Sequence, residues 1–388
     1  MSNTQKIYML TVISFFIGTS QFGIVGMLDK IAASVDISIS TAGQLVTAFA
    51  LGNAIGAPIV IVATAKMSQR KQLLLALSII LVGIVSTLVT SEFILLMMAR
   101  ILLGVGTGVF VVTAYAVSAK LAPPGKQGSA MANVAMGFSS SLVLGVPLGR
   151  IMSSSFDWKA IFWIIGIFSI VAVFAIARTI PDTEGEDTIS LSQRLALMKS
   201  PQLALMLCVT FFVFIGFSVM DTYITPYLAF VMPRTEHAIS AILFAMGIAS
   251  VVGSKIGGLL ADRIGTFRTL IGAMSVQMVS LILLSVGFKS GVIIVMLLMI
   301  WEIACWTFGP TQNFNLISLV PGASSIVLSL NSSFVQLGFA AGAGIGGIAV
   351  GGISITAITW ISAISAICAT FLFTVTHIFL KRKPLIEG

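Results

Sequence analysis

Unbroken apolar runs of about 20 residues or more follow one another along almost the whole chain, and a run of that length crosses the hydrocarbon core of a bilayer as one helix. Twelve are present, at 7–28, 41–65, 72–90, 93–118, 129–153, 157–177, 203–229, 239–261, 267–287, 291–316, 325–350 and 354–379. Together they leave few of the 388 residues outside a membrane. Only 9% of the residues are charged and 57% are hydrophobic, which is too little charge to cover a water-soluble protein of this size. Backbone groups in lipid must be bonded within their own segment, so the runs are expected to be helices, with irregular pieces only inside a bundle. A membrane β-barrel would show short alternating segments, whereas these runs are continuous.

The basic residues give the orientation. With the N-terminus in the cytoplasm, fourteen of them fall in cytoplasmic segments: Lys6, Lys66, Arg70, Lys71, Lys120, Lys126, Arg178, Arg194, Lys199, Arg263, Arg268, Lys381, Arg382 and Lys383. External loops hold four, Lys30, Lys159, Arg234 and Lys289, and Arg100, Arg150 and Lys255 lie inside spans. The excess on one side predicts that both termini are cytoplasmic, in a cell membrane. The net charge of +8 is thereby a topology signal and not a nucleic-acid footprint, because the cations are scattered over six segments. The first run is too long for a signal-peptide core and lacks a small-residue cleavage site, so it is counted as a span. Cys208, Cys305 and Cys368 all lie inside spans and read as packing residues, without a disulfide or metal role.

One cytoplasmic segment is longer and more polar than the rest. It carries Asp182, Glu184, Glu186 and Asp187, then an amphipathic patch at Ser190–Lys199. It divides the chain into a bundle of six spans at 1–178, a linker at 179–202 and a second bundle of six at 203–388 with a short tail. The halves match at an offset of 197–198 residues. Ala-Pro-Pro-Gly at 122–125 with Asn133 corresponds to Val-Pro-Gly-Ala at 320–323 with Asn331. Gly149 falls on Gly347, and Gly52 and Gly56 fall on Ala249 and Gly253. Parallel repeats of this kind mark transporters that bind substrate near the midplane between the halves.

Three stretches then stand out. Span 4 holds Arg100-Ile-Leu-Leu-Gly-Val-Gly-Thr-Gly108, and span 5 holds Gly145-Val-Pro147-Leu-Gly149 followed by Arg150. After span 8 comes Gly257-Gly-Leu-Leu-Ala-Asp262-Arg263-Ile-Gly265-Thr-Phe-Arg268. With these the chain resembles the major facilitator superfamily, specifically the twelve-helix drug:proton antiporter group of SotB/AraJ-like sugar and drug efflux permeases. The resemblance covers nearly the whole chain. It implies the major facilitator fold, two pseudo-symmetric six-helix bundles.

The same resemblance assigns roles. The arginine of the first stretch is implicated in proton coupling. The glycines and proline of the second let helices approach and bend, and in this family they point to export. The aspartate and basic residues of the third form a gate loop, in which the carboxylate accepts bonds from a helix end or a basic group. Two departures weaken the match. After span 2 the loop reads Ala65-Lys66-Met-Ser-Gln-Arg70-Lys71, with Ala65 in the aspartate position, so its cations are expected to serve topology alone. In span 1 the family's glutamate is replaced in Thr19-Ser20-Gln21-Phe22, and Gln21 cannot carry a proton although its amide can bond a ligand.

Buried charge supplies the remaining candidates. Arg100 is about seven residues, roughly 10 Å, inside span 4. An arginine at that depth needs a partner or a wet cavity, unless it reaches back to the outer surface. Glu302 is about eleven residues, roughly 17 Å, from the outer end of span 10, close to the midplane. It is the candidate main proton carrier, the alternative being a neutral acid bonded to a neighbouring helix. Asp221 lies in the outer half of span 7, either as an outer-gate or proton-accepting group or as an interfacial acid in water. Arg150 reads as an anchor or an outer ion-pair partner, and Lys255 as a side chain reaching the cytoplasm. Candidates for the cavity lining are Gln21, Tyr115, Asn133, Phe138, Phe217, Trp301, Trp306, Asn331 and Gln336; aromatics with a few amides suit an amphipathic small molecule.

The two histidines, His237 and His377, have no second ligand nearby, so no metal is expected. No Gly-x-x-x-x-Gly-Lys-[Ser/Thr] occurs, and the glycines at 104, 106 and 108 are intrahelical, so neither ATP nor a dinucleotide cofactor is implied. His-Glu-x-x-His and Gly-x-Ser-x-Gly are absent too. The leading expectation is a monomeric, cofactor-free exporter that exchanges small amphipathic compounds such as drugs or sugars for protons by alternating access. A proton-linked importer or sugar-type permease is the alternative within transport. From another class, an intramembrane enzyme lacks a convergent catalytic set, and a receptor lacks a sizeable soluble domain.

Overall fold

The computed structural model describes residues 1–123, 127–182, 200–233, 236–288, 290–320 and 324–380, with the side chains at 127–129, 236–237, 324–326 and 379–380 outside the description. Most of the expected linker, with its amphipathic patch, falls outside these residues, as do the basic tail at 381–383 and the side chain of His237. Every described element is helical, and twelve helices are long and apolar enough to cross a membrane. They run Asn3–Val35, Ile39–Ala63, Gln69–Val89, Phe93–Leu121, Ala130–Ser155, Ala160–Thr179, Pro201–Thr222, Ala238–Ile264, Thr266–Ser285, Gly291–Leu319, Val327–Gly352 and Ala357–Ile378. These match the twelve apolar runs in order. Large apolar side chains such as Ile94, Phe174, Val292 and Phe371 are exposed along them, the surface that a lipid solvent accepts and water does not.

Local chemistry sets several helix starts. Ser2 and Gln5 form a reciprocal capping box at the first helix, and Ser38, Ser68 and Ser200 accept the backbone N–H three residues on. Pro201 occupies the first helical position of span 7, where its missing N–H costs nothing. Gly265, at φ 85°, makes the turn between spans 8 and 9. A side chain there would be strained, which is the physical reason for the glycine of the loop motif.

Three spans are not continuous α-helix. Span 1 is helical over Asn3–Phe22, tightens to a 3-10 segment at Gly23–Met27, and resumes at Leu28–Val35. Span 2 contains a π-turn at Gly52–Gly56, and span 7 pauses at Tyr223 before a short helix at Ile224–Val231. Hydropathy reads through all three.

The described helices form two compact units, Met1–Thr188 and Ile189–Gly388. Within the first, span 1 packs on span 5, span 2 on span 4, and span 3 on spans 4 and 6; the second unit repeats this with spans 7 and 11, 8 and 10, and 9 with 10 and 12. The repeat reaches individual contacts. Gly56 lies against Val105, and Gly253 lies against the backbone of Ile303, at the same 197–198 residue offset.

Glycines make these crossings possible. A Cβ on Gly149 would meet the Gly23 carbonyl, and one on Gly26 would meet that of Val146, so spans 1 and 5 touch backbone to backbone. Gly253 and Gly257 do the same against span 10, where Thr307 and Thr311 also donate to their carbonyls at 3.1 Å. In lipid, close approach of this kind is the main source of helix association. Gly104 is the most demanding position, because any Cβ there would collide with the Phe49 carbonyl. Gly104→Val is expected to cost at least about 1–3 kcal/mol of overpacking. A fluorescence-detected gel-filtration profile should show the monodisperse peak lost, and a wild-type peak would contradict the backbone contact.

Basic residues cap helix ends in the first unit. Lys159 donates to the carbonyls of Thr90 (2.7 Å) and Leu88 (3.2 Å) at the end of span 3. Arg70 donates to the Ala177 carbonyl in the last turn of span 6. The topology-only reading of the basic loop after span 2 is thus incomplete, because its arginine also satisfies a helix C-terminus.

Candidate functional site

Arg100 is built into the break in span 1. Where the first helix ends and the 3-10 segment begins, carbonyls lose their intrahelical partners. Arg100 reaches across from span 4 and donates to Ser20 O at 2.7 Å and Gln21 O at 3.4 Å, and to Leu45 O on span 2 at 3.3 Å. Its guanidinium carbon stands 4.7 Å from the centre of the Phe49 ring. The residue is 2% exposed, so it does not reach back to a surface. Its partner is the negative end of a helix and not a carboxylate, and one planar fork ties spans 1, 2 and 4 together. Next to it, Gln21 is buried and its Oε1 accepts nothing. Phe138 stands edge-on to Phe22, with centroids 5.6 Å apart. Tyr115 and Asn133 are half-buried.

A second buried arginine of the unit, Arg150, is paired with a carboxylate. One nitrogen of Arg150 donates to both carboxylate oxygens of Asp29 at 2.7 Å. Asp29 lies in the first turn of the resumed helix of span 1, where a negative charge suits the helix dipole. The glycine-proline stretch and this ion pair therefore act on the same partner: Gly145 and Gly149 let span 5 lie on span 1, and Arg150 fastens the far end.

In the second unit the candidates around span 10 converge. Glu302 is 4% exposed. Its Oε1 accepts from the indole N–H of Trp306, one turn on, at 2.8 Å, while its Oε2 is buried without a partner. Trp301 is fully buried and stacks on Phe217 at 5.6 Å and 18°. Trp306 meets the same ring edge-on at 6.0 Å, and Phe339 does so at 5.6 Å. Asp221 is four residues, one helical turn, beyond Phe217 on span 7 and is half-buried. Gln336, on span 11, has a buried Oε1 without a partner. The group is one acid held by an indole, a second acid nearby and a cluster of rings. Its one free carboxylate oxygen can take a proton or a hydrogen-bond donor.

Asn331 belongs elsewhere. It accepts from Thr210 and donates to Asn313, each at 2.8 Å, and Gln312 donates to Thr210 at 3.1 Å and to Met206 O at 2.9 Å. This amide network joins spans 7, 10 and 11. Gln312 and Asn313 were not among the expected site residues, though Thr311-Gln-Asn-Phe-Asn315 behind Pro310 puts four polar residues into an apolar span. That local density is the signal that could have found them.

In the gate loop, Asp262, Arg263, Gly265 and Arg268 are all exposed, and Asp262 has no ion pair or hydrogen bond among the described residues. Lys255 is exposed. Among the described residues no three His, Cys, Asp or Glu side chains are grouped to hold a metal.

Comparison with known proteins fits this architecture. The sequence model of the Major Facilitator Superfamily matches residues 10–330. The MFS-type transporter YbcL of Bacillus subtilis (strain 168) is 42% identical over 369 residues, 95% of each chain. AraJ of Escherichia coli (strain K12) is 29% identical over 278 residues, 72% of this chain and 70% of its own. A crystal structure of the nucleoside transporter NupG aligns with 97% of this chain and all of its own at a TM-score of 0.77; its 12% identity makes that a likeness of fold.

Proposed function

The chain belongs to the Major Facilitator Superfamily and is a multi-pass membrane transporter, and from that premise we propose that it exports small amphipathic compounds in exchange for protons. The observation that carries this reading is Glu302, an acid deep in an apolar span with one oxygen fixed by Trp306 and the other free. A buried, unpaired carboxyl is where a proton can be held and released as a transporter changes state. Asp221 is the secondary acid, and Arg100 supplies a fixed charge at the span 1 break. The resemblance of Gly145-Val-Pro147-Leu-Gly149 to an antiporter motif supports the outward direction.

In this cycle the gate loop Asp262–Arg268 closes one side, and Phe217, Trp301 and Trp306 of the second unit offer the substrate an aromatic lining. The transporter works as a monomer, in the cytoplasmic membrane, with both termini inside. A cysteine at position 182, after span 6, is expected to react with a membrane-impermeant reagent only in everted vesicles; labelling from the outside would reverse the topology.

Transport itself is tested with the wild-type chain in everted vesicles. An acid interior is expected to drive accumulation of an amphipathic dye, and collapse of the pH difference is expected to release it. Accumulation instead by right-side-out vesicles in acid medium would replace export with proton-linked import. Accumulation indifferent to pH would remove the proton.

A further inference from the structure

A cavity of about 170 Å³ lies among the ends of spans 7, 9, 10 and 12 in the second unit. Its polar wall is Gln202 of span 7, Thr266 of span 9 and Asn315 of span 10. Its other wall is aromatic. Phe267 of span 9 stacks on His377 and Phe373 of span 12, with centroids 3.7 Å and 5.5 Å away and the rings within 23° of parallel. Asn315 is thirteen residues beyond Glu302 on span 10, roughly 20 Å at the helical rise, so an occupant does not touch the acid. At the matching places of the first unit, side chains meet instead. At an offset of 197 residues, Phe267 corresponds to Arg70, which donates to the Ala177 carbonyl. Thr376 and Met206 correspond to Thr179 and Met9, which are bonded at 3.7 Å. In the second unit Thr376 donates within its own helix, to Leu372 O at 2.7 Å, and both residues line the cavity.

Size and chemistry narrow the occupant. A cavity of about 150 Å³ is enough for benzene, so this one takes a single ring with a small head group. No carboxylate lines it, and its one titratable group is His377. The charges nearest in sequence to Thr266 are Arg263 and Arg268, against one acid, Asp262, and all three are exposed. An organic cation therefore finds no counter-charge. Donors are available: the Gln202 side chain has no hydrogen bond among the described residues, and the Thr266 hydroxyl reaches Asn315 Oδ1 only at 3.5 Å. Such donors bond an ionised oxygen more strongly than a neutral one. We propose that this cavity binds a single-ring aromatic carboxylate, with its head group on Gln202 and Thr266 and its ring against Phe267 and Phe373. The site is separate from the transport path and independent of the proton reading of Glu302. It lies where span 7 begins and span 12 ends, so under the assigned topology the ligand arrives from the cytoplasm.

The test uses purified full-length protein in lipid nanodiscs, with empty nanodiscs as the blank. The probes are 4-fluorobenzoate, 4-fluorobenzyl alcohol and 4-fluorobenzylamine, and binding is read from the broadening of the fluorine NMR signal. The wild type is expected to bind the acid roughly fivefold or more tighter than the alcohol, and the amine no better than the alcohol. Gln202→Leu keeps the bulk and removes the donor, and should cut the acid preference to about twofold or less. Leu319→Trp fills the cavity from a half-buried wall position and should lose all three probes while its gel-filtration profile stays unchanged. If Leu319→Trp does not fold, Gln202→Leu carries the test by itself. Glu302→Gln should bind the acid like the wild type. Equal affinity for acid and alcohol, or a preference for the amine, overturns the carboxylate. Unchanged binding in folded Leu319→Trp, or an intact acid preference in Gln202→Leu, overturns the cavity as the site. Loss of acid binding in Glu302→Gln puts the anion in the transport path and overturns the separate site.

Discussion

Glu302→Gln is expected to abolish dye accumulation driven by a pH gradient in everted vesicles, while exchange of a neutral compound at equal pH on both sides continues. The substitution is nearly isosteric. Gln retains an oxygen for the Trp306 indole, whose bond to Oε1 is 2.8 Å, so the local packing of span 10 has little reason to change. What it removes is the titratable oxygen, Oε2, which has no partner to be left stranded. The expected effect is therefore on coupling and not on folding, and an unchanged gel-filtration profile would confirm that separation. Asp221→Asn is the comparison. Half-buried at the end of the long helix of span 7, it should slow transport without uncoupling it. If Glu302→Gln instead transports with full dependence on the gradient, the proton is carried elsewhere, and Asp221 becomes the first place to look.

The spans were legible in the sequence because lipid imposes one simple rule, a long apolar run per helix, and the observed ends follow the runs closely. The glycine faces were legible for a related reason, since small residues in apolar helices mark close crossings. The breaks were not. Gly23–Met27 is as apolar as its flanks and Gly52–Gly56 departs from them only by Asn53 and its glycines, and the change at both is in backbone hydrogen bonding, which hydropathy does not see. Partners were also hidden. Asp29 and Arg150 are 121 residues apart, and the carbonyls that hold Arg100 belong to residues whose side chains say nothing about them. Glu302 was found because an acid in an apolar span is conspicuous. That Trp306 would hold one oxygen and leave the other free depended on a rotamer, although the i, i+4 spacing allowed it.

Arg100→Ala is expected both to uncouple transport and to lower the thermal midpoint by a few degrees. The two effects come from one geometry. Removing the side chain strands the Ser20 carbonyl, bonded at 2.7 Å in a site that is almost fully buried, and a buried unpaired acceptor costs about 1–3 kcal/mol. It also disconnects span 4 from the break in span 1 and from Leu45 on span 2, so a change in one helix no longer moves the others as a unit. Arg100→Lys separates charge from shape. It keeps the cation at the helix end, but a single ammonium cannot donate to two carbonyls on span 1 and one on span 2 with the directions of a planar fork. Lys is therefore expected to recover much of the stability and less of the coupling. The measurements are melting curves and pH-driven uptake into proteoliposomes, normalised to folded protein. If Arg100→Ala melts early but each folded molecule still couples normally, the arginine is a helix cap and nothing more. If it melts and couples like the wild type, the carbonyl bonds are incidental and the family assignment fails at this residue.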